Sequence, residues 1–390
     1  MKMGNLSDLN VVEVSQAVAG PFAGKLLGDL GATVVKIEQP GVGDQQRYPT
    51  EGTIAVGNFP FLNHDKQCLS LDLTDENGKE IFHDLLSDAD VLIENFSPGQ
   101  FDRFGLSIEN LLDQYDDLIA LSIKAFGDGP FESRIGTDYP IELESSMAYM
   151  NGIDGEPLRC GFSVVDLSAA MFGVIGIQSL LLNRPTAAED RSIEVGLFET
   201  AVMMMGQSMS FASQEEQNPT PLNVGGGHRA VYHIFNTKDS GKVFIGIWND
   251  RHWERFINIL NIPELSKYDS EEKRMENQKE IHEQIQDALL EFDSDELVKM
   301  LSSERLLFAK LQKPLEILDN HHLIEGDKFV NIGDESDITI PKPPIEGNQF
   351  DFDYPNSFLA DLGQHNDSIL EELGYSAQEI QDLRDSGVID

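Results

Sequence analysis

The sequence predicts an α/β fold: a parallel sheet covered by helices, with a smaller and differently patterned middle section. Two observations carry this. Over residues 10–130, short β-branched runs alternate with stretches of helical period, the pattern of β-α-β units with right-handed crossovers. Beyond residue 200 the alternation stops, and strands around a turn are followed by several helices.

In chain order, Val11–Val14 reads as a strand, Gly20–Leu30 as a helix and Val34–Ile37 as a second strand. Cys68–Leu73, Val91–Ile93 and Leu118–Ile123 read as further strands, with helices at Lys79–Leu86 and Ile108–Gln114 between them. Leu167–Leu182 is an apolar, buried helix. Ile193–Val195 is a strand and Leu197–Met209 a methionine-rich helix. Val231–Ile247 reads as strands around Asp239-Ser240-Gly241. Helices follow at Asp250–Leu260, Ser270–Phe292 and Ser294–Ser302, and two short ones at Ser368–Gly374 and Ala377–Ser386. The expected domains are a large α/β part over 1–200, a linker over 201–224, a small domain over 225–320, and a return segment over 321–390 that rejoins the large domain.

Composition narrows the function. The 390 residues hold 68 acids and 28 bases, a formal net charge of −40. That excludes general nucleic-acid binding, which needs a basic face, and makes an anionic membrane a poor partner. With 40% hydrophobic residues this is no disordered acidic chain. The acids are dispersed: residues 351–390 carry ten, against the single base Arg384. A folded protein with an evenly acidic surface repels itself unless salt screens it. The reading is adaptation to a high-salt cytoplasm; the alternative is a merely acidic mesophilic protein.

Cys68 and Cys160 form neither a disulfide framework nor a CxxC motif and read as buried thiols. No HExxH, paired Cys/His or EF-hand pattern occurs, so no metal is expected. Gly20, Gly24 and Gly28 are spaced by four, unlike the dinucleotide fingerprint, so a nicotinamide or flavin enzyme is not supported. Met1–Asn10 lacks a signal-peptide core, and Ala169–Leu182 is shorter than the roughly 20 residues of a bilayer span. A cytoplasmic location without membrane association is expected.

One colinear set of motifs is specific. It opens with Val18-Ala19-Gly20-Pro21-Phe22-Ala23-Gly24, Val35-Lys36-Ile37-Glu38 and Gly41-Val42-Gly43-Asp44. It continues through Asn63-His64-Asp65-Lys66, Glu94-Asn95-Phe96-Ser97-Pro98-Gly99, Ala125-Phe126-Gly127 and Val165-Asp166-Leu167-Ser168-Ala169. It closes with Asn249-Asp250-Arg251-His252-Trp253 and Leu362-Gly363-Gln364-His365-Asn366. The set resembles the class III CoA-transferases, the formyl-CoA transferase or carnitine dehydratase-like family, which includes the α-methylacyl-CoA racemases.

The resemblance implies a Rossmann-like large domain built from both chain ends, a small middle domain, and a homodimer of two interlocked rings. It implies that Asp166 is the catalytic nucleophile. On its own, Asp166 before an apolar helix also reads as an N-cap, and a carboxylate there is stabilised in its ionised form by the helix dipole. The implied CoA contacts are the backbone of Ala17, Val18 and Ala19, the turn at Asn95 and Phe96, and the cations Lys66 and Arg103; Lys36 and Lys124 are weaker candidates. Each also has a structural reading, as solvated surface or turn former. Gly225, Gly226 and Gly227 resemble a glycine-rich lid loop, or else a flexible entry to the small domain.

The activity implied is transfer of CoA from an acyl-CoA to a small carboxylic acid through aspartyl intermediates. CoA is then a substrate, and no metal or redox cofactor is needed. Succinyl-CoA is the commonest donor among relatives serving central metabolism, and for a salt-adapted organism the acceptor expected is mesaconate, a C5 dicarboxylate, or another small dicarboxylic acid. No residue fixes the choice. The racemases carry a histidine base where this chain has Thr137, which favours transferase over racemase. A non-catalytic acyl-CoA-binding paralogue is the third reading, opposed by the presence of Asp166.

Overall fold

A computed structural model describes residues 6–153, 155–221, 229–333, 338–350, 352, 354 and 357–390. Six strands form one parallel sheet: β1 Asn10–Val14, β2 Thr33–Glu38, β3 Gln67–Ser70, β4 Val91–Glu94, β5 Ile119–Lys124 and β6 Ser192–Gly196. Their order is β3-β2-β1-β4-β5-β6, with Val12 beside Val35 on one side and Leu92 on the other. The strand order reverses between β1 and β4. Turns leaving those two strands diverge to opposite faces, and the crevice between them is where open α/β sheets hold ligands.

Both faces of this sheet are covered, so its strands are mostly apolar, and the charged residues they carry, such as Glu13, Lys36 and Glu94, are buried and paired. Val11, Ile93, Leu121 and Ile123 pack under the helices Ala19–Asp29 and Val164–Leu182. Val12, Leu92 and Ala120 pack under Glu76–Ser87, Ile108–Gln114 and the C-terminal helices Asn366–Glu372 and Ala377–Asp385. The chain end is tied to the sheet through one motif of the resemblance. His365 Nδ1 accepts from the Cys68 amide at 3.1 Å, and Asn366 Oδ1 accepts from the Ser70 amide at 2.9 Å.

The helix Val164–Leu182 is 19 residues long and apolar enough to cross a membrane by length and composition alone. Here Val165, Ala169, Ala170, Val174 and Ile177 are buried in the core of a sheet protein.

The chain divides into two units. One comprises Met1–Ala148, Arg159–Asn218 and Ile324–Asp390, and also holds the antiparallel pair β10 Phe329–Ile332 and β11 Ile338–Pro341. The other comprises Tyr149–Leu158 and Pro219–Leu323. Its antiparallel sheet, β7 Tyr232–Asn236, β8 Lys242–Gly246 and β9 Leu307–Lys310, packs with helices around Trp253, Phe256, Ile281, Ile285 and Leu297. The Asn249–Trp253 motif starts one of these helices. Asn249 Oδ1 accepts from the His252 amide at 3.0 Å while Trp253 is buried.

Three expectations change. The stretch expected as a linker, 201–224, is helical as far as Glu215, in helices Leu197–Met204 and Gly206–Glu215 that meet before Gly206. The expected helix Ser270–Phe292 is two, Glu271–Glu276 and Gln278–Leu289, parted at Asn277. Tyr149–Leu158 joins the second unit although no composition shift marks it.

Candidate active site

The first turn after β1 rests on buried charges. Glu13, on β1, is fully buried between two lysines, with Lys36 Nζ at 2.9 Å and Lys66 Nζ at 2.7 Å. Burial opposes its charge, but the two lysines hold its carboxyl below the usual range. Lys36 also donates to Ser15 O at 2.7 Å and pairs with Asp44 at 3.1 Å. Asp44 Oδ1 in turn accepts from the Ala17 amide at 3.3 Å. Gly24 lets the overlying helix lie this close, because a Cβ there would collide with the Glu13 carboxylate.

Ala17 is held in the left-handed region, φ 63°, a costly conformation for a residue with a Cβ. Asn95, just beyond β4, clamps the same turn. Its Oδ1 accepts from the Gln16 amide and its Nδ2 donates to Gln16 O, both at 2.8 Å. Glu94 shapes the second turn by accepting from the Phe96 amide at 2.9 Å and from Lys124 Nζ at 2.6 Å.

These turns wall a cavity of about 480 Å³ at the carboxyl end of the sheet, where β1 and β4 part. Ala17, Val18, Ala19, Asn95, Phe96 and Asp166 all line it, as do Lys124, Arg134, Thr137, Asp138 and Arg159. Two expected cations lie elsewhere. Lys66 is buried beneath the turn, bonded to Glu13, Pro21 O and Asn63 Oδ1, and burial lowers its pKa to about 8. It is a support rather than a lining residue, and Lys36 is placed the same way. Arg103 is exposed on the single-turn helix Gln100–Arg103, off the cavity wall. Gly225, Gly226 and Gly227 lie outside the described residues.

Asp166 is not the helix cap. The helix begins at Val164 after Ser163, whose side chain makes no capping bond. The cap comes from another helix, Asp138–Glu144. Asp138 Oδ2 accepts from the Val165 amide at 2.9 Å and the Asp166 amide at 3.3 Å. Asp166 is therefore free to face the cavity from the first turn. Its pKa is pushed up to about 7 by burial and by the Asp138 charge, against a smaller pull from Arg159. The helix dipole does not leave it fully ionised at neutral pH, contrary to the sequence expectation.

Under Asp138 lies Glu142, also buried. Its Oε2 accepts from the Cys160 amide at 2.8 Å, and burial raises its pKa, with Asp138 adding to the rise. Sequence reasoning missed Asp138, Glu142, Arg134 and Arg159. The Asp138 cap joins residues 27 positions apart, and no local pattern announces such a bond.

A doubly wound parallel sheet with a ligand-sized cavity at its switch point, Asp166 on the wall, defines an α/β protein of the small-molecule-binding kind. The chain belongs to CoA-transferase family III, whose model matches residues 6–366, and it is an enzyme of that class. It is 29% identical to a succinyl-CoA:mesaconate CoA-transferase of Haloarcula hispanica, over 95% of this chain and 97% of that one. It is 27% identical to a succinyl-CoA:glutarate CoA-transferase of Mus musculus, covering all of this chain and 91% of that one. A CAIB/BAIF family protein from Brucella suis has the same fold, with a TM-score of 0.86 at 26% identity over 95% of this chain and 99% of that chain.

Proposed function

We propose that the protein transfers CoA from succinyl-CoA to a small dicarboxylic acid, mesaconate being one candidate, with Asp166 as nucleophile. The observation that carries this is the Asp166 carboxylate, lining the switch-point cavity with a pKa near 7. A carboxylate that ionises near neutrality keeps more nucleophilicity than an ordinary aspartate.

An Asp166 oxygen attacks the thioester carbonyl carbon, the C–S bond breaks, and CoA thiolate leaves a mixed anhydride. The thiolate attacks the aspartyl carbonyl, expelling the donor acid and forming an aspartyl-CoA thioester. The acceptor carboxylate attacks that thioester and releases thiolate. The thiolate then takes the acceptor's acyl group from the new anhydride and restores Asp166. Each step is a substitution at a carbonyl and needs neither metal nor redox cofactor.

The N-terminus of the helix Ala19–Asp29 has no side-chain cap and opens at the cavity wall, so its amides suit the oxyanions formed at each step. CoA lies along Ala17, Val18, Ala19, Asn95 and Phe96. An adjoining cavity of about 210 Å³, sharing Gln16, Phe96 and Gln100, extends that path. Arg103, on the helix that carries Gln100, is the exposed cation for the phosphates.

Met171, Ile175 and Leu182 are exposed on one apolar helix, and Met203 and Met204 on another, which supports a homodimer that covers them. The dispersed −40 charge supports a salt-rich cytoplasm. The test is a screen of CoA donors and acids in molar KCl with mass detection of acyl-CoA products. Absence of CoA exchange with every pair overturns the reading.

A further inference from the structure

Among the described residues three cations line the cavity that holds Asp166, and two of them are paired at close range. Lys124 Nζ lies 2.6 Å from Glu94 Oε1. Arg134 forms a two-pronged pair with Glu144 at 2.7 and 3.1 Å, and its guanidinium lies 4.6 and 4.8 Å from the Phe126 and Phe131 ring centres. Arg159 differs. Its ion-pair partners are more distant, Asp138 Oδ1 at 3.4 Å and Glu142 Oε1 at 3.7 Å. A formed charge-assisted bond is about 2.7–2.9 Å. Asp138 Oδ2 is already held by the Val165 and Asp166 amides and Glu142 Oε2 by the Cys160 amide, whereas Arg159 Nη2 reaches Asp138 Oδ1 only at the long limit of a hydrogen bond and leaves the buried Glu142 Oε1 without one. The guanidinium is half exposed over the Tyr139 ring. Its planar fork has donors to spare beside the nucleophile.

We propose that Arg159 binds the second carboxylate of a dicarboxylic acid whose first carboxylate reacts at Asp166, and so selects dicarboxylic over monocarboxylic acceptors. This rests on the transferase reading and adds the residue that reads the acid. Asp166 is acylated when the acceptor arrives, but the Asp138 carboxylate still gives the cavity wall negative charge, which repels a second anion. A guanidinium can meet that anion with two parallel N–H donors and replace the water it loses. A monocarboxylic acid of equal length presents a methyl group there and gains nothing. Because Arg159 also favours the ionised form of Asp166, removing it slows reaction with every acid. A ratio between two acids is insensitive to that shared effect.

The experiment is internal competition. Wild type and R159Q each receive one CoA donor with glutarate and pentanoate together, and the two acyl-CoA products are quantified by mass. Both acids compete for the same enzyme form, so the product ratio reports acceptor selectivity alone. The ratio of dicarboxylic to monocarboxylic product should fall about 30-fold or more in R159Q, within the range set by losing a charge-assisted hydrogen-bonded pair. An unchanged ratio, or a wild type that prefers pentanoate, overturns the role of Arg159 and leaves the transferase reading intact. No product from wild type with either acid, or with mesaconate or succinate, overturns both.

Discussion

The carboxylate of Asp138 spans the start of the helix that carries Asp166, accepting the Val165 amide at 2.9 Å and the Asp166 amide at 3.3 Å. One acid thereby caps the helix and places its charge beside the other. The consequence separates cleanly by substitution. Asp138→Asn keeps an acceptor oxygen but removes the charge, so the Asp166 pKa should fall from about 7. The acid limb of the kcat/KM profile should move about one unit toward lower pH, with stability little changed. An unmoved limb would mean that Asp138 does not tune Asp166.

Asp166→Asn and Asp166→Ala should both fold and lose CoA transfer by several orders of magnitude. Asp166 does not cap its helix, so even the alanine variant tests chemistry. Hydroxylamine added during turnover should mark the Asp166 peptide of the wild type with a hydroxamate mass shift, absent from either variant. Substantial transfer by Asp166→Asn, with no deamidation back to aspartate, would falsify the covalent role.

The raised pKa also has a sign for stability. Between about pH 4 and pH 7 the folded state holds the Asp166 proton that the unfolded chain has released. Stability from this group is therefore full below pH 4 and lost as pH rises through 7. Asp166→Asn should be more stable than wild type at pH 8, and the gain should vanish by pH 4. Urea melts at the two pH values check this; a gain equal at both would contradict the assignment.

Lys66→Met should destabilise the protein by about 3 kcal/mol in urea melts, because it leaves Glu13 buried with one partner fewer. A raised KM for the acyl-CoA at unchanged stability would instead return Lys66 to the list of direct CoA contacts.

Thr137 lines the cavity, and its hydroxyl cannot act as a base near neutral pH. Incubation of a 2-methylacyl-CoA with the enzyme in deuterated water should give no enzyme-dependent α-deuteration. Exchange at turnover rates would sink the preference for transfer over racemisation.

The net charge of −40 should make stability rise between about 0.1 and 2 M KCl, as the Debye length shrinks. A melting temperature that is flat or falling over that range would remove the halophilic reading.

The parallel α/β core is legible in the order of the amino acids, because strands buried on both faces are mostly apolar and their crossover helices carry a 3.6-residue period. Val11–Val14 and Ile108–Gln114 are legible for that reason. The sequence also supplied the ordered motifs of the family and, through them, Asp166. What most of the motif residues touch emerges only on folding. Lys66, Asp44 and Asn63 hold buried charges and turns beneath the cavity, and His365 and Asn366 tie the chain end to β3. A lysine that binds phosphate and one that neutralises a buried glutamate look alike in sequence, because what separates them is the partner, and the partner is distant in the chain. The same holds for Asp138 and Arg159. Their effect on Asp166 is electrostatic, set by separation and burial, and both exist only once the helices have packed.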